Sequence, residues 1–182
     1  MSAAVHIRRY RLVHYGEPMP LPRARVRIAT GPGGSTWPAH YLPADARRRK
    51  EEIAGEWQRL GLPLLSGPLV CIADFACSRP ASHLGSGANA GQIKPRYRHE
   101  RPKRADIDNL AKLCLDALQG IAFANDDQVV RLHAEKLYTD QAGLAEPQSV
   151  IELRPLAGAE APTLFAVSEP KPAGPYEVEE AA

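Results

Sequence analysis

Residues 104–130 read RADIDNLAKLCLDALQGIAFANDDQVV. Ile107, Leu110, Cys114, Leu118 and Ile121 recur at helical intervals, which makes one apolar face, and Gly120 supplies a stop. The spacing predicts a helix beginning near Asp106. Asp108, Lys112 and Asp116 follow one another at four-residue steps, so they form a row on a different face. Asp106 and Asp108 flank a single position at the helix entrance, where both can turn toward one point. Asp108 also suits an N-cap, since its carboxylate can accept backbone N–H bonds. Asp126 and Asp127 occupy the turn after the helix. That turn folds back beside the entrance only if the next strand runs antiparallel to the helix.

Working outward, QVVRLHAEKLY (128–138) reads as a strand, AGLAEPQ as a turn and SVIELRP (149–155) as a last strand. Upstream, GPLVCIADFA (67–76) is a short apolar run bounded by turn residues, the pattern of a core strand. After Pro43, ADARRRKEEIAGEWQRLG predicts a helix with Ala46, Ile53, Trp57 and Leu60 on its apolar stripe and Gly61 at its end. The Arg47–Lys50 cluster on it reads either as a solvated face or as a phosphate contact. VHIRRYRLV (5–13) and ARVRIAT (24–30) read as strands that pair through the turn-like GEPMPLP (16–22), with GPGGSTWP (31–38) as a loop. The order β-β-α-β-loop-α-β-β, without internal repeat, favours an α+β fold with a small mixed sheet and two main helices. One domain is expected over 1–156, with a basic loop insertion at about 78–103. Residues 157–182, rich in Ala, Pro and Glu without period, read as a disordered acidic tail.

The 182 residues fit a single domain with flexible ends, and 44% hydrophobic with 24% charged residues is ordinary for a globular protein. No apolar run approaches the roughly 18 residues of a membrane span. The N-terminus has no apolar signal-peptide core. Cys71, Cys77 and Cys114 make neither a CxxC pair nor an even disulfide set, and Cys71 and Cys114 sit in apolar segments as buried thiols. A cytoplasmic protein with no membrane partner is expected. The net charge of +2 hides a polarity: residues 1–105 carry 18 Lys+Arg against 7 Asp+Glu (+11), and residues 106–182 carry 5 against 14 (−9). Such asymmetry points to a polyanion-binding surface beside an acidic site or tail. The candidate phosphate contacts are Arg23, Arg25 and Arg27 in the early basic strand, and Lys94, Arg96, Arg98, Arg101, Lys103 and Arg104 in and after the long loop. That loop, with Tyr97, reads either as a nucleic-acid contact or as a disordered insertion.

Hard divalent cations such as Mg²⁺ take oxygen ligands, and two or three carboxylates can hold them against phosphate. Other chemistries fit less well. Phosphatases of the haloacid dehalogenase type and many nucleotide-sugar transferases carry Asp-x-Asp at the end of an apolar strand, whereas RHERPKRA precedes it here. The six histidines are scattered, which argues against a zinc site. Walker A and Gly-x-Ser-x-Gly patterns are absent, and Cys114 has no base near it in sequence.

DIDNLAKLCLDALQG, a short turn with DDQVV, and a strand carrying EK resemble the RusA family of Holliday junction resolvases. The match is close over about 105–136, looser at PRARVR (22–27) and SVIEL (149–153). The resemblance implies Asp106, Asp108 and Asp127 as metal-binding catalytic carboxylates, Asp126 as a supporting one, Lys112 as an essential lysine and Asn109 as a residue orienting the helix entrance. It further implies an α+β homodimer that uses Mg²⁺ or Mn²⁺ to cut four-way or other branched DNA in paired fashion. Arg104-Ala105 stands where many members have Lys-Pro, and the 78–103 insertion and the tail are longer than the compact family pattern. Two alternatives stay open: a non-catalytic basic DNA-binding module, and a metal-dependent nuclease for flaps, RNA or other branched substrates.

Overall fold

A computed structural model describes residues 8–156. The expected tail at 157–182 and the first residues of the expected strand at 5–13 lie outside the described residues. The elements are β1 (Tyr10–Tyr15), β2 (Arg25–Thr30), β3 (Thr36–Tyr41), α1 (Ala44–Arg59), β4 (Leu69–Cys77), α2 (Ile107–Leu118), β5 (Val129–Tyr138) and β6 (Gln148–Pro155). Four strands form one mixed sheet in the order β1-β6-β4-β5, and the fold is α+β as expected. No helix among the described residues is long and apolar enough to cross a membrane.

β4 carries the longest apolar run and is an inner strand, antiparallel to β6 and parallel to β5. A parallel neighbour cannot be reached by a tight turn, so the chain must cross over. Residues 78–106 and then α2 make that crossing. Alternate residues Leu69, Cys71, Ala73 and Phe75 of β4 join Leu12, Ile151 and Leu153 in the core on the helix side of the sheet. α2 adds Leu110, Ala111, Leu113, Cys114, Ala117 and Leu118, a broader buried surface than the predicted stripe, because the helix packs against α1 as well as the sheet. Ile107 and Ile121 are only partly buried. In α1, Ala46, Ile53 and Trp57 are buried as predicted, whereas Leu60 is 55% exposed because the helix has ended at Arg59.

One expected pairing and one expected loop are corrected. β1 pairs with β6, in register Tyr10 to Leu153, and not with the strand that follows it. β2 pairs instead with β3, which begins inside the expected loop and runs three residues past it, Thr36 opposite Thr30 and Tyr41 opposite Arg25. β1 has alternate positions, Leu12 and His14, to bury. None of the residues of β2 is buried, so β2 has nothing to gain from the main sheet.

The long loop is folded, and the reading of 78–103 as a disordered insertion is overturned. Arg79 is the reason. Its guanidinium makes paired bonds of 2.7 and 3.0 Å to Asp140, donates to the carbonyls of Tyr97 (2.8 Å) and Arg98 (3.2 Å), and lies over the Tyr138 ring. The Arg79 hydrogen bond, the largest influence on it, holds the Asp140 carboxyl below its ordinary range. His83 stacks on Tyr97 at 4.1 Å, and Gln141 donates to the Glu100 carbonyl at 2.8 Å. Replacing Arg79 by Ala removes all four of these bonds, including both to Asp140. Trypsin should then cut within 94–104 at least tenfold faster than in the wild-type protein; an unchanged cleavage rate would contradict this anchoring.

Candidate active site

The two carboxylate groups of the opening stretch lie at opposite ends of α2. Asp106, two residues before Asp108, is the N-cap residue, in extended conformation and without a side-chain capping bond, so Asp108 does not hold the N-cap position expected for it. Asp108 sits inside the first turn, exposed, as is Lys112 one turn on. The entrance is held by two long-range contacts. The Leu21 N–H donates to the Asn109 carbonyl at 2.8 Å, and the Lys136 ammonium donates to the Ala105 carbonyl. The contact at Asn109 runs through its backbone carbonyl and does not involve its side chain.

The turn with Asp126 and Asp127 is braced elsewhere. Gln128 Oε1 accepts from Ala124 N–H at 2.8 Å, and its Nε2 donates to the Gly67 carbonyl at 3.0 Å. Leu65 N–H donates to the Ala122 carbonyl at 2.7 Å. These contacts place the turn where β4 and β5 begin, whereas Lys136 and Ala105 meet near where those strands end. The strand after the helix does run antiparallel to it. The turn, however, precedes that strand, so it is the far end of β5 that returns to the entrance. The 12 residues of α2 span roughly 18 Å. Accordingly, the described residues contain no group of three or more His, Cys, Asp or Glu side chains placed to hold a metal ion.

All four aspartates are exposed, and none takes part in an ion pair among the described residues. Unpartnered carboxylate oxygens are the donor type a hard divalent cation takes. Asp116 differs: it pairs with Lys50 of α1 at 3.6 Å and ties the two helices together. Arg49 likewise turns inward, donating to the Glu17 carbonyl at 3.0 Å, so half of the Arg47–Lys50 cluster is structural.

Among the expected phosphate contacts, Arg23, Arg25 and Arg27 are exposed on and just before β2. Arg96, Arg98, Arg101 and Arg104 are exposed around the folded loop, Lys103 pairs with Glu100 at 3.2 Å, and Lys94 donates to the Ser82 carbonyl at 2.9 Å. Lys103, Arg104 and Ala105 line the same depression as Glu17, Pro18 and Pro20, which brings the loop beside the segment that leads to Arg23. Lys136 is the lysine of the EK pair in the resemblance, but its tie to Ala105 was not legible; it stands at a helix-side position of β5, in step with Leu132 and Ala134. The thiols offer no nucleophile. Burial pushes Cys71 and Cys114 up to about 12, and burial with the nearby Glu17 pushes Cys77 up to about 11.

A crossover helix thus presents exposed carboxylates and a lysine beside basic surface. The sequence profile of the endodeoxyribonuclease RusA family matches residues 15–145, well over half of the chain, and this chain belongs to that family. No curated protein matches it.

Lys112 has no partner to lose among the described residues. Lys112→Ala should change unfolding free energy by less than about 0.5 kcal/mol, as surface substitutions do. Leu113→Ala, one residue on and fully buried, should cost about 2–5 kcal/mol. Chemical denaturation measures both; a large loss for Lys112→Ala would make it a structural residue. The three thiols should also resist a thiol reagent at pH 8 in the native protein and react promptly once unfolded, because thiolate is scarce well below the raised values. Rapid native labelling would contradict this.

Proposed function

We propose that this chain is a metal-dependent endonuclease that resolves four-way DNA junctions as a homodimer, with Asp106, Asp108, Asp126, Asp127 and Lys112 as its catalytic machinery. The supporting observation is the separation of the two carboxylate groups along α2. Each end of the helix offers two carboxylates in one chain, short of the full set, and each end is open to solvent. A second copy related by a two-fold axis can bring its Asp126–Asp127 turn to the Asp106–Asp108 entrance of the first, and the same operation builds the second site. Two sites on one axis match the symmetry of a four-way junction and suit paired cutting.

Asp106 and Asp108 of one copy with Asp127 of the other would hold Mg²⁺ or Mn²⁺, with Asp126 in support. A cation there supplies Lewis-acid stabilisation of phosphate charge and lowers the pKa of water. Lys112, one turn along from Asp108, faces the same side and stabilises the negative charge that develops on the phosphate oxygens. The exposed arginines of β2 and of the loop hold the DNA backbone, so affinity falls as salt rises.

On a synthetic four-way junction, Asp108→Asn should lose at least a thousandfold in cutting rate while still binding. Lys112→Ala should bind within about threefold of wild type and cut at least a hundredfold more slowly. Chelation should stop cutting and leave binding intact. Undiminished cutting by Asp108→Asn would end the assignment, and loss of junction binding by Lys112→Ala would recast that lysine as a phosphate anchor. Tight binding with no cutting under any metal would favour the non-catalytic DNA-binding reading.

A further inference from the structure

The β2–β3 hairpin is not part of the main sheet, and none of its strand residues is buried. Its register sorts the side chains into two sets, since directly opposed residues share a face. Arg25 faces Tyr41, Arg27 faces Ala39 and Ala29 faces Trp37, so one face carries two arginines and two aromatic rings. The other carries Val26, Ile28, Pro38 and His40. On the first face, the Arg27 guanidinium lies 5.8 Å from the centre of the Tyr41 ring.

Trp37 has a built seat. A Cβ placed on Gly31 would stand 2.7 Å from Cζ3 and 2.9 Å from Cη2 of the indole, so the ring packs against backbone that only glycine leaves bare. The φ of Gly31 is −94°, which any residue adopts; the requirement is space. The indole is thus oriented and yet 47% exposed, whereas the other tryptophan, Trp57, is fully buried. Tyr97, the aromatic residue of the basic loop, is not comparable, because His83 stacks on it and Arg96 covers it at 4.6 Å.

The hairpin also stands in a telling place. Leu21, whose N–H is bonded to the Asn109 carbonyl, precedes β2 by only a few residues, so the ribbon springs from beside the entrance of α2. An oriented aromatic face flanked by arginines is the arrangement that binds unpaired bases, with stacking for the base and charge for the adjoining phosphates.

We propose that the Arg25–Arg27–Trp37–Tyr41 face of the hairpin is a nucleic-acid contact in which Trp37 stacks on an unpaired base of the substrate. It rests on the reading of the chain as a branched-DNA nuclease and adds to it a residue that separates open, unstacked DNA from continuous duplex. A duplex buries the faces of its bases and offers the arginines only phosphate.

The test uses the full chain without divalent metal and three labelled DNAs: a four-way junction with unpaired thymines at its centre, a single strand, and a linear duplex. Trp37→Ala should weaken the junction and the single strand roughly five- to hundredfold and the duplex less than about twofold. Trp37→Phe should restore most of the difference. Arg25→Gln with Arg27→Gln should weaken all three alike and lower the salt slope by about two. Single-strand binding should quench tryptophan emission in the wild type and not in Trp37→Phe, because Trp57 is shielded. Equal binding by Trp37→Ala and wild type overturns the proposal while leaving junction cutting, if present, to stand. An equal loss on all three DNAs, or a changed sedimentation mass that marks this face as a contact between copies, overturns it too. If the wild type binds none of the three, the nuclease reading falls with it.

Discussion

β4 and β5 run side by side in the same direction, and no short turn can join such strands. The chain must leave the end of β4, travel the length of the sheet and start again at its beginning. α2 is the return leg. That constraint sets the direction of the helix, puts its entrance near Lys136 and Tyr138, and puts the Asp126–Asp127 turn at the other end, beside Leu65 and Gly67. The buried side of α2, from Leu110 to Leu118, holds the crossing in place and leaves the aspartates and Lys112 facing water.

The same constraint accounts for the folded loop. A chain leaving β4 at Cys77 has to reach the α2 entrance close by, and it does so through 29 residues that carry almost no apolar core of their own. Arg79, Asp140, His83, Tyr97 and Tyr138 replace that core with a local polar and aromatic one. Lys103 and Arg104 are thereby held beside the helix entrance, close to the segment that leads into the β2–β3 hairpin.

Much of this was legible in the sequence, for identifiable reasons. α2, β4, β5 and β6 have strong periodicity or compact apolar runs, and they appear where expected. The pairing of β1 with β6 was not legible, because alternation marks a strand and says nothing about a partner more than a hundred residues away. β3 was hidden because Pro38 and the glycines before it mark a loop, and Pro is tolerated here in an exposed two-stranded ribbon. The order of the loop was hidden because it depends on Asp140, far along the chain. For the candidate site, type and spacing singled out the aspartates and Lys112 as a pattern. Their separation was not legible, since it depends on the helix running between two parallel strands. Asp116 is explained by Lys50, a contact between helices that spacing along one of them cannot reveal.

The central claim is that each site takes Asp106 and Asp108 from one copy and Asp127 from the other. It is tested most directly with a mixed dimer, purified through two different tags, of one Asp108→Asn chain and one Asp127→Asn chain. Each parent dimer carries a lesion in both sites. The mixed dimer concentrates both lesions in one site and leaves the other intact, so it should nick a four-way junction at roughly half the wild-type rate per dimer. A mixed dimer as inactive as its parents, or a protein that stays monomeric on the junction, would contradict the account.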